Sequence, residues 1–226
     1  MREGTRFAIG DTLQGVPERK GVPECATLYS APMRALAPLP EAFYFRPAEE
    51  VARDLLGRLL VRELPEGRIV VRLVETEAYA GPHDRASHAF GGRRTPRNES
   101  MYLAGGHAYV YRIYGIHFCL NVVTGPRDAG IAVLLRAAEI LIGEELVRRD
   151  LLPFFKMDRL DLALDAVALD RGALRLAAGE PVAPESILTG PRIGCESAGE
   201  AAPWPLRFAV AGSRAVSSPR PRLRFA

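Results

Sequence analysis

The chain is poor in lysine and cysteine, and no stretch of it is apolar for long. Only Lys20 and Lys156 are lysine, so almost all of its 30 basic residues are arginine. The three cysteines, Cys25, Cys119 and Cys195, lie far apart without CxxC spacing. That excludes a disulfide scaffold and a zinc ribbon and fits a reducing compartment. No uncharged apolar run approaches the roughly 18 residues that a membrane span needs. The opening MREGTRFAIGDTLQG holds no hydrophobic signal core, so a soluble, cytoplasmic protein is expected. Also absent are a GxxxxGK[ST] phosphate cradle and a GxSxG elbow, which argues against a P-loop enzyme and a serine hydrolase. The four histidines, His83, His88, His107 and His117, show no metal-ligand spacing. Neither a metal nor a cofactor is expected.

What is present is ordinary for one globular domain: 226 residues, 48% hydrophobic and 25% charged. A net charge of +3 decides little, but the position of the arginines says more. Codon usage in GC-rich DNA is one source of an arginine bias. The other is phosphate binding, for which the planar guanidinium fork is suited. Arg93, Arg94 and Arg97 cluster in one loop, and the last fourteen residues carry Arg214, Arg220, Arg222 and Arg224 with no acid. Such local basic patches suit nucleic acid.

Residues 1 to about 40 are rich in glycine, proline and mixed charge and read as a poorly ordered leader. Pro47 and the stripe Val51, Leu55, Leu56, Leu59, Leu60 predict a helix to about Leu60. RIVVRLVETEAY (68–79), AYVYRIY (108–114), IHFCLNVV (116–123) and IAVLLRA (131–137) read as strands, with a helix over 138–149. Short strands are expected near 172–177, 187–193 and 206–210, and a loose last dozen residues. The result is an antiparallel meander with helices against it, an α+β or mainly β fold.

Strict alternation along 68–79 puts Ile69, Val71, Leu73, Glu75, Glu77 and Tyr79 on one face. Acids on a face that buries Ile and Leu are costly unless paired or facing a cleft; otherwise the strand emerges into water. Both readings stay open from spacing alone. Tyr109, Tyr111 and Ile113 share a face, opposite Val110, Arg112 and Tyr114. Tyrosines in strands usually pack, although tyrosines interleaved with arginine also suit base stacking. Asn121 is either a bonded core amide or a reader of a ligand's edge. Arg136 needs an anionic partner if it stays inside.

The stretch VETEAYAGPHDRASHAFGGRRTPRNESMYLAGGHAYVYRIYGIHFCLNVV (74–123), followed by LLRAAE (134–139), closely resembles the alkyladenine DNA glycosylases, also called 3-methyladenine or methylpurine DNA glycosylases. ETEAY, ASHA, TPRN, YVYxIYG and CLNVV occur in the family's order, and the match runs from about Leu39 to Ser217. The resemblance implies a single compact α+β domain around a curved, barrel-like antiparallel sheet with surrounding helices. It divides the chain into a flexible leader (1–38), a glycosylase domain (39–217) and an Arg-rich tail (218–226).

The implied activity is a monofunctional, monomeric DNA glycosylase, free of metal and cofactor. Its partner would be double-stranded DNA carrying damaged purines: 3-methyladenine, 7-methylguanine, hypoxanthine or ethenoadenine. The resemblance makes Glu77 the general base, with Arg136 and the Ile193 carbonyl positioning its water. Tyr79, His88 and Tyr111 would stack on the flipped base, with the His88 amide donating to it. Asn121 would sit where a guanine amino group is tolerated or rejected, and Tyr114 would intercalate. Arg93, Thr95 and Arg97 would meet phosphates. One departure stands out: RRDLLPFFKMDRLDLALDAVALDRG (148–172) is shorter than in the family and lacks its GPxKL-type motif. A lesion-binding protein without excision, or an RNA- or nucleotide-processing hydrolase, is the rival reading.

Overall fold

The computed structural model describes residues 36–113, 117–146, 167–217 and 223–225. Its frame is β2 (Gly67–Tyr79), a 13-residue strand long enough to serve several neighbours. The other strands are β1 (Leu59–Leu64), β3 (Ala108–Ile113), β4 (His117–Thr124), β5 (Ile131–Ile142), β6 (Leu174–Ala177), β7 (Ile187–Gly190), β8 (Arg207–Val210) and β9 (Arg224–Phe225). They form one antiparallel sheet in the order β3-β4-β5-β2-β8-β7-β9, with β1 joining β2 to β6. On one edge β2 pairs first with β1 and then with β8, while β5 runs along the other edge. The sheet curls into a half-barrel within a single compact domain, as expected.

One α-helix is found among the described residues, α1 (Ala48–Asp54), and it packs Val51 and Ala52 into the core. Pro47 precedes it, as the sequence suggested, but the helix stops short of the expected Leu60. Gly57 ends the turn with φ +84°, and a Cβ there would lie 2.0 Å from the Glu180 carbonyl oxygen. Past that bend Leu59 and Leu60 enter β1 and pair with Arg72 and Val71.

The helix expected over 138–149 is not formed over its first part. Ala138–Ile142 continues β5 and pairs with Val70–Leu73 of β2. Ala138 and Ile142 are buried in two different apolar clusters, so both faces of this segment are covered. Two-sided burial removes the alternation by which a strand is recognised. Likewise Leu223 is buried and β9 pairs with β7, so part of the expected loose end adds to the sheet. No helix among the described residues is long and apolar enough to cross a membrane.

The strict face alternation expected for β2 is also corrected. Leu73 pairs with Ala138 and Glu75 with Ala137, leaving Val74 without a partner on β5; Thr76 then pairs with Leu135, leaving Arg136 without one on β2. An extra residue flips the side-chain parity beyond it. Accordingly Leu73 shares the main core with Ala78, five residues on, and Thr76 Oγ1 donates to the Ala52 carbonyl of α1. Glu75, Glu77 and Tyr79 face the other way, away from the surface that holds Ile69, Val71 and Leu73. The acids do not interrupt an apolar face, because the face changes at Val74.

Candidate active site

Flipping the parity of β2 and β5 together brings Glu75, Glu77 and Arg136 to one side of the sheet. Glu77 is fully buried. Its Oε1 accepts the Ile193 amide at 2.9 Å and its Oε2 accepts the Tyr79 hydroxyl at 3.0 Å. Arg136 Nε lies 3.5 Å from Glu77 Oε1 and 3.7 Å from Glu75 Oε1 and makes no hydrogen bond of its own among the described residues. Burial pushes the Glu77 carboxyl above its usual pKa; the Arg136 charge and the Ile193 amide pull it back only in part. A carboxylate so placed is a stronger base than one in water.

The partners of Glu77, Tyr79, Arg136 and Ile193, line a cavity of about 490 Å³ together with His88, Tyr111 and Asn121 among others. A volume of this order fits one planar ligand the size of a base. Spacing did not join these residues; the fold does. Tyr111 comes from β3, Asn121 from β4 opposite Tyr109, and His88 from the loop after β2. The His88 ring meets Tyr111 edge-on at 4.7 Å between centroids, and its Nδ1 lies 2.6 Å from the Tyr109 hydroxyl. Burial, with the charges of Arg97 and Arg93 nearby, lowers the His88 pKa, so the ring is neutral at pH 7. Asn121 is bound as well as exposed to the cavity: its Nδ2 donates to the Tyr109 carbonyl. The Ile193 carbonyl accepts a long contact from the Cys195 thiol at 3.8 Å. Tyr114 lies outside the described residues.

A smaller recess of about 260 Å³ adjoins this cavity through His88 and Tyr109. Arg93, Thr95 and Arg97 line it together with Arg85. Arg94, between them in sequence, is instead engaged with Glu99 and Asp128. Asn98 builds this loop: its Oδ1 accepts the Thr95 amide and hydroxyl, while its Nδ2 donates to the carbonyls of His88 and Arg93. The recess therefore presents guanidinium groups beside the cavity mouth, where a phosphate group would be attracted.

Several residues of the site escaped the sequence reading. Tyr109 was assigned the right face but no partner, and its hydroxyl is what holds His88. Cys119 and Cys195 both line the cavity, and Cys195 Sγ lies 3.9 Å from the Tyr79 hydroxyl. Asp84 and Arg192 form a fully buried ion pair behind Tyr79. An acid and an arginine that follow no shared period and sit 108 positions apart carry no local signal of such pairing.

The methylpurine-DNA glycosylase family model matches residues 42–214. The chain is 42% identical, over 84% of its length and 94% of the relative's, to a Streptomyces avermitilis protein provisionally named a 3-methyladenine DNA glycosylase. A Myxococcus xanthus protein with the same provisional name is 46% identical, over 81% of this chain and 95% of its own length. The human DNA-3-methyladenine glycosylase is 41% identical, over 90% of this chain and 75% of its own length. With most of the described sheet and all of the cavity's lining residues except Ser217 inside the matched range, the chain belongs to the methylpurine-DNA glycosylase family.

Proposed function

We propose that the protein is a monofunctional, monomeric DNA glycosylase that hydrolyses the N-glycosidic bond of alkylated purines in duplex DNA, 3-methyladenine and 7-methylguanine first, with hypoxanthine and ethenoadenine as further substrates. The observation that carries the reading is the buried Glu77 carboxylate, with raised proton affinity, held against an aromatic-lined cavity of base size. An enzyme that works on a base in a duplex must extrude it, at a cost of a few kcal/mol. Stacking of the flipped base between Tyr79, His88 and Tyr111, worth ~1–3 kcal/mol per base on other base platforms, offsets that cost. Tyr114 fills the gap in the duplex. Arg93, Thr95 and Arg97 hold the flanking phosphates, and Asn121 tests the edge of the base.

In the reaction Glu77 takes a proton from a water as its oxygen attacks C1′ and the glycosidic bond breaks. Arg136 and the Ile193 carbonyl orient that water. An N3- or N7-alkylated purine is cationic and leaves as a neutral base, so no protein acid is required. Ordinary glycosidases use a second carboxyl for that step. A duplex oligonucleotide containing 7-methylguanine tests the reading. Wild type is expected to release the free base, and Glu77→Gln to bind the lesion but release it about 10²–10⁴-fold more slowly. Tight lesion binding with no release by wild type would instead make this a lesion-binding protein. Release from RNA or free nucleosides but not from duplex DNA would make it a different hydrolase.

A further inference from the structure

Tyr79 has two faces, and only one is open to the cavity. Arg192 covers the other: its guanidinium carbon lies 4.8 Å from the ring centroid. The Arg192 side chain is fully buried and does not line the cavity. Its charge is matched by Asp84, equally buried, whose two oxygens receive the two guanidinium NH2 groups. The same guanidinium donates to the carbonyls of Ala78 and Ala201. Asp84 also accepts the amides of Ala80 and Ala86, and so fastens the loop that carries His88 to the end of β2. Arg192 directly precedes Ile193, the residue whose amide holds Glu77.

A ring attracts a cation through the negative charge of its faces, and this is worth more where water is excluded. A guanidinium on one face of Tyr79 draws on the charge that the open face offers. An unbalanced cation at this depth would also repel a second cation across the ring, with little solvent screening. Asp84 cancels that repulsion. Resting on the glycosylase reading above, we propose that the Arg192–Asp84 pair is a specificity-determining element, whose neutrality lets Tyr79 stack on a cationic alkylated purine as well as on a neutral one.

The experiment compares single-turnover release of cationic 7-methylguanine with release of neutral hypoxanthine from matched duplexes by the same protein. The ratio of the two rates cancels losses common to both substrates. Asp84→Asn leaves Arg192 unbalanced and is expected to lower the ratio about tenfold. Arg192→Gln leaves Asp84 unbalanced and is expected to raise it. The double variant D84N/R192Q, again neutral, is expected to return to the wild-type ratio at a reduced absolute rate. Thermal melts identify any single variant that fails to fold, and the double variant then carries the comparison. A ratio unchanged in the folded single variants, or altered in the double, overturns the proposal and leaves the pair a structural clamp. Absence of release of either base by wild type is a different result, and it overturns the glycosylase reading instead.

Discussion

Glu75 and Glu77 are two residues apart on one strand, point to the same side and are both fully buried, yet their surroundings differ in kind. Glu75 is saturated. Arg207 donates to its Oε1 at 2.5 Å, the Ser217 amide donates to its Oε2 at 2.7 Å, and Arg207 is itself tied to the Ser217 carbonyl. Glu77 has an amide and a hydroxyl for partners, and its nearest cation, Arg136, stays beyond hydrogen-bond distance. The saturated acid ties β2 to β8 and to the segment that follows it. The other sits beside an open cavity, where burial disfavours its charged form and raises its proton affinity, as suits a base. Burial alone therefore does not separate structural from chemical carboxylates; the completeness of the ion pair does.

Exchanging each acid for its amide should break the comparison in opposite directions. Glu77→Gln is expected to lower base release by about 10²–10⁴-fold, the usual worth of a positioned general base. Its melting temperature at pH 7 should equal or exceed that of wild type. The reason is linkage: a carboxyl whose folded pKa is raised favours the folded state below its unfolded pKa, and that contribution is lost as pH rises through the folded value. The stability gain should therefore shrink as pH falls through the raised folded value and be gone below about pH 4.5, the reference for an unperturbed Glu. A variant much less stable than wild type at pH 7 would contradict this. Glu75→Gln leaves Arg207 buried without its charge partner and is expected to cost about 3–5 kcal/mol by denaturant titration.

Smaller changes sharpen the same contrast through the acid limb of the pH–rate profile. Arg136 is the main influence lowering the Glu77 pKa, so Arg136→Gln should move the acid limb to higher pH and slow release at neutral pH. Tyr79→Phe removes a weaker hydrogen bond that acts in the same sense and should move it less. In whatever Glu75→Gln protein remains folded, the limb should move to lower pH, because the Glu75 charge raises the Glu77 pKa. A common shift in all three variants would show that the limb does not belong to Glu77.

The parts of this arrangement that the sequence made legible are those carried by contiguous residues. Strand β2 could be read from its β-branched run, β3 and β4 from their alternation, and Glu77, Tyr79, His88, Tyr111 and Asn121 from the motifs that resemble the family. The last four line one cavity, and Glu77 is bonded to it through the Tyr79 hydroxyl. What was not legible depends on chain segments that meet only after folding. The unpaired Val74 and Arg136 reverse two strands' faces without any glycine or proline to announce it. Ala138–Ile142 looked helical because a segment covered on both sides loses its period. Gly57 ended α1 early because the Glu180 carbonyl, far along the chain, occupies the space a side chain would need. The Asp84–Arg192 pair was invisible for the same reason.

The most direct test of the account is the pH dependence of single-turnover 7-methylguanine release by wild type and Glu77→Gln under identical conditions. The account predicts an acid limb in wild type with its midpoint above pH 4.5, and a residual rate in Glu77→Gln from which that limb is missing. The same limb persisting in Glu77→Gln would show that another group is the base and would contradict the central claim.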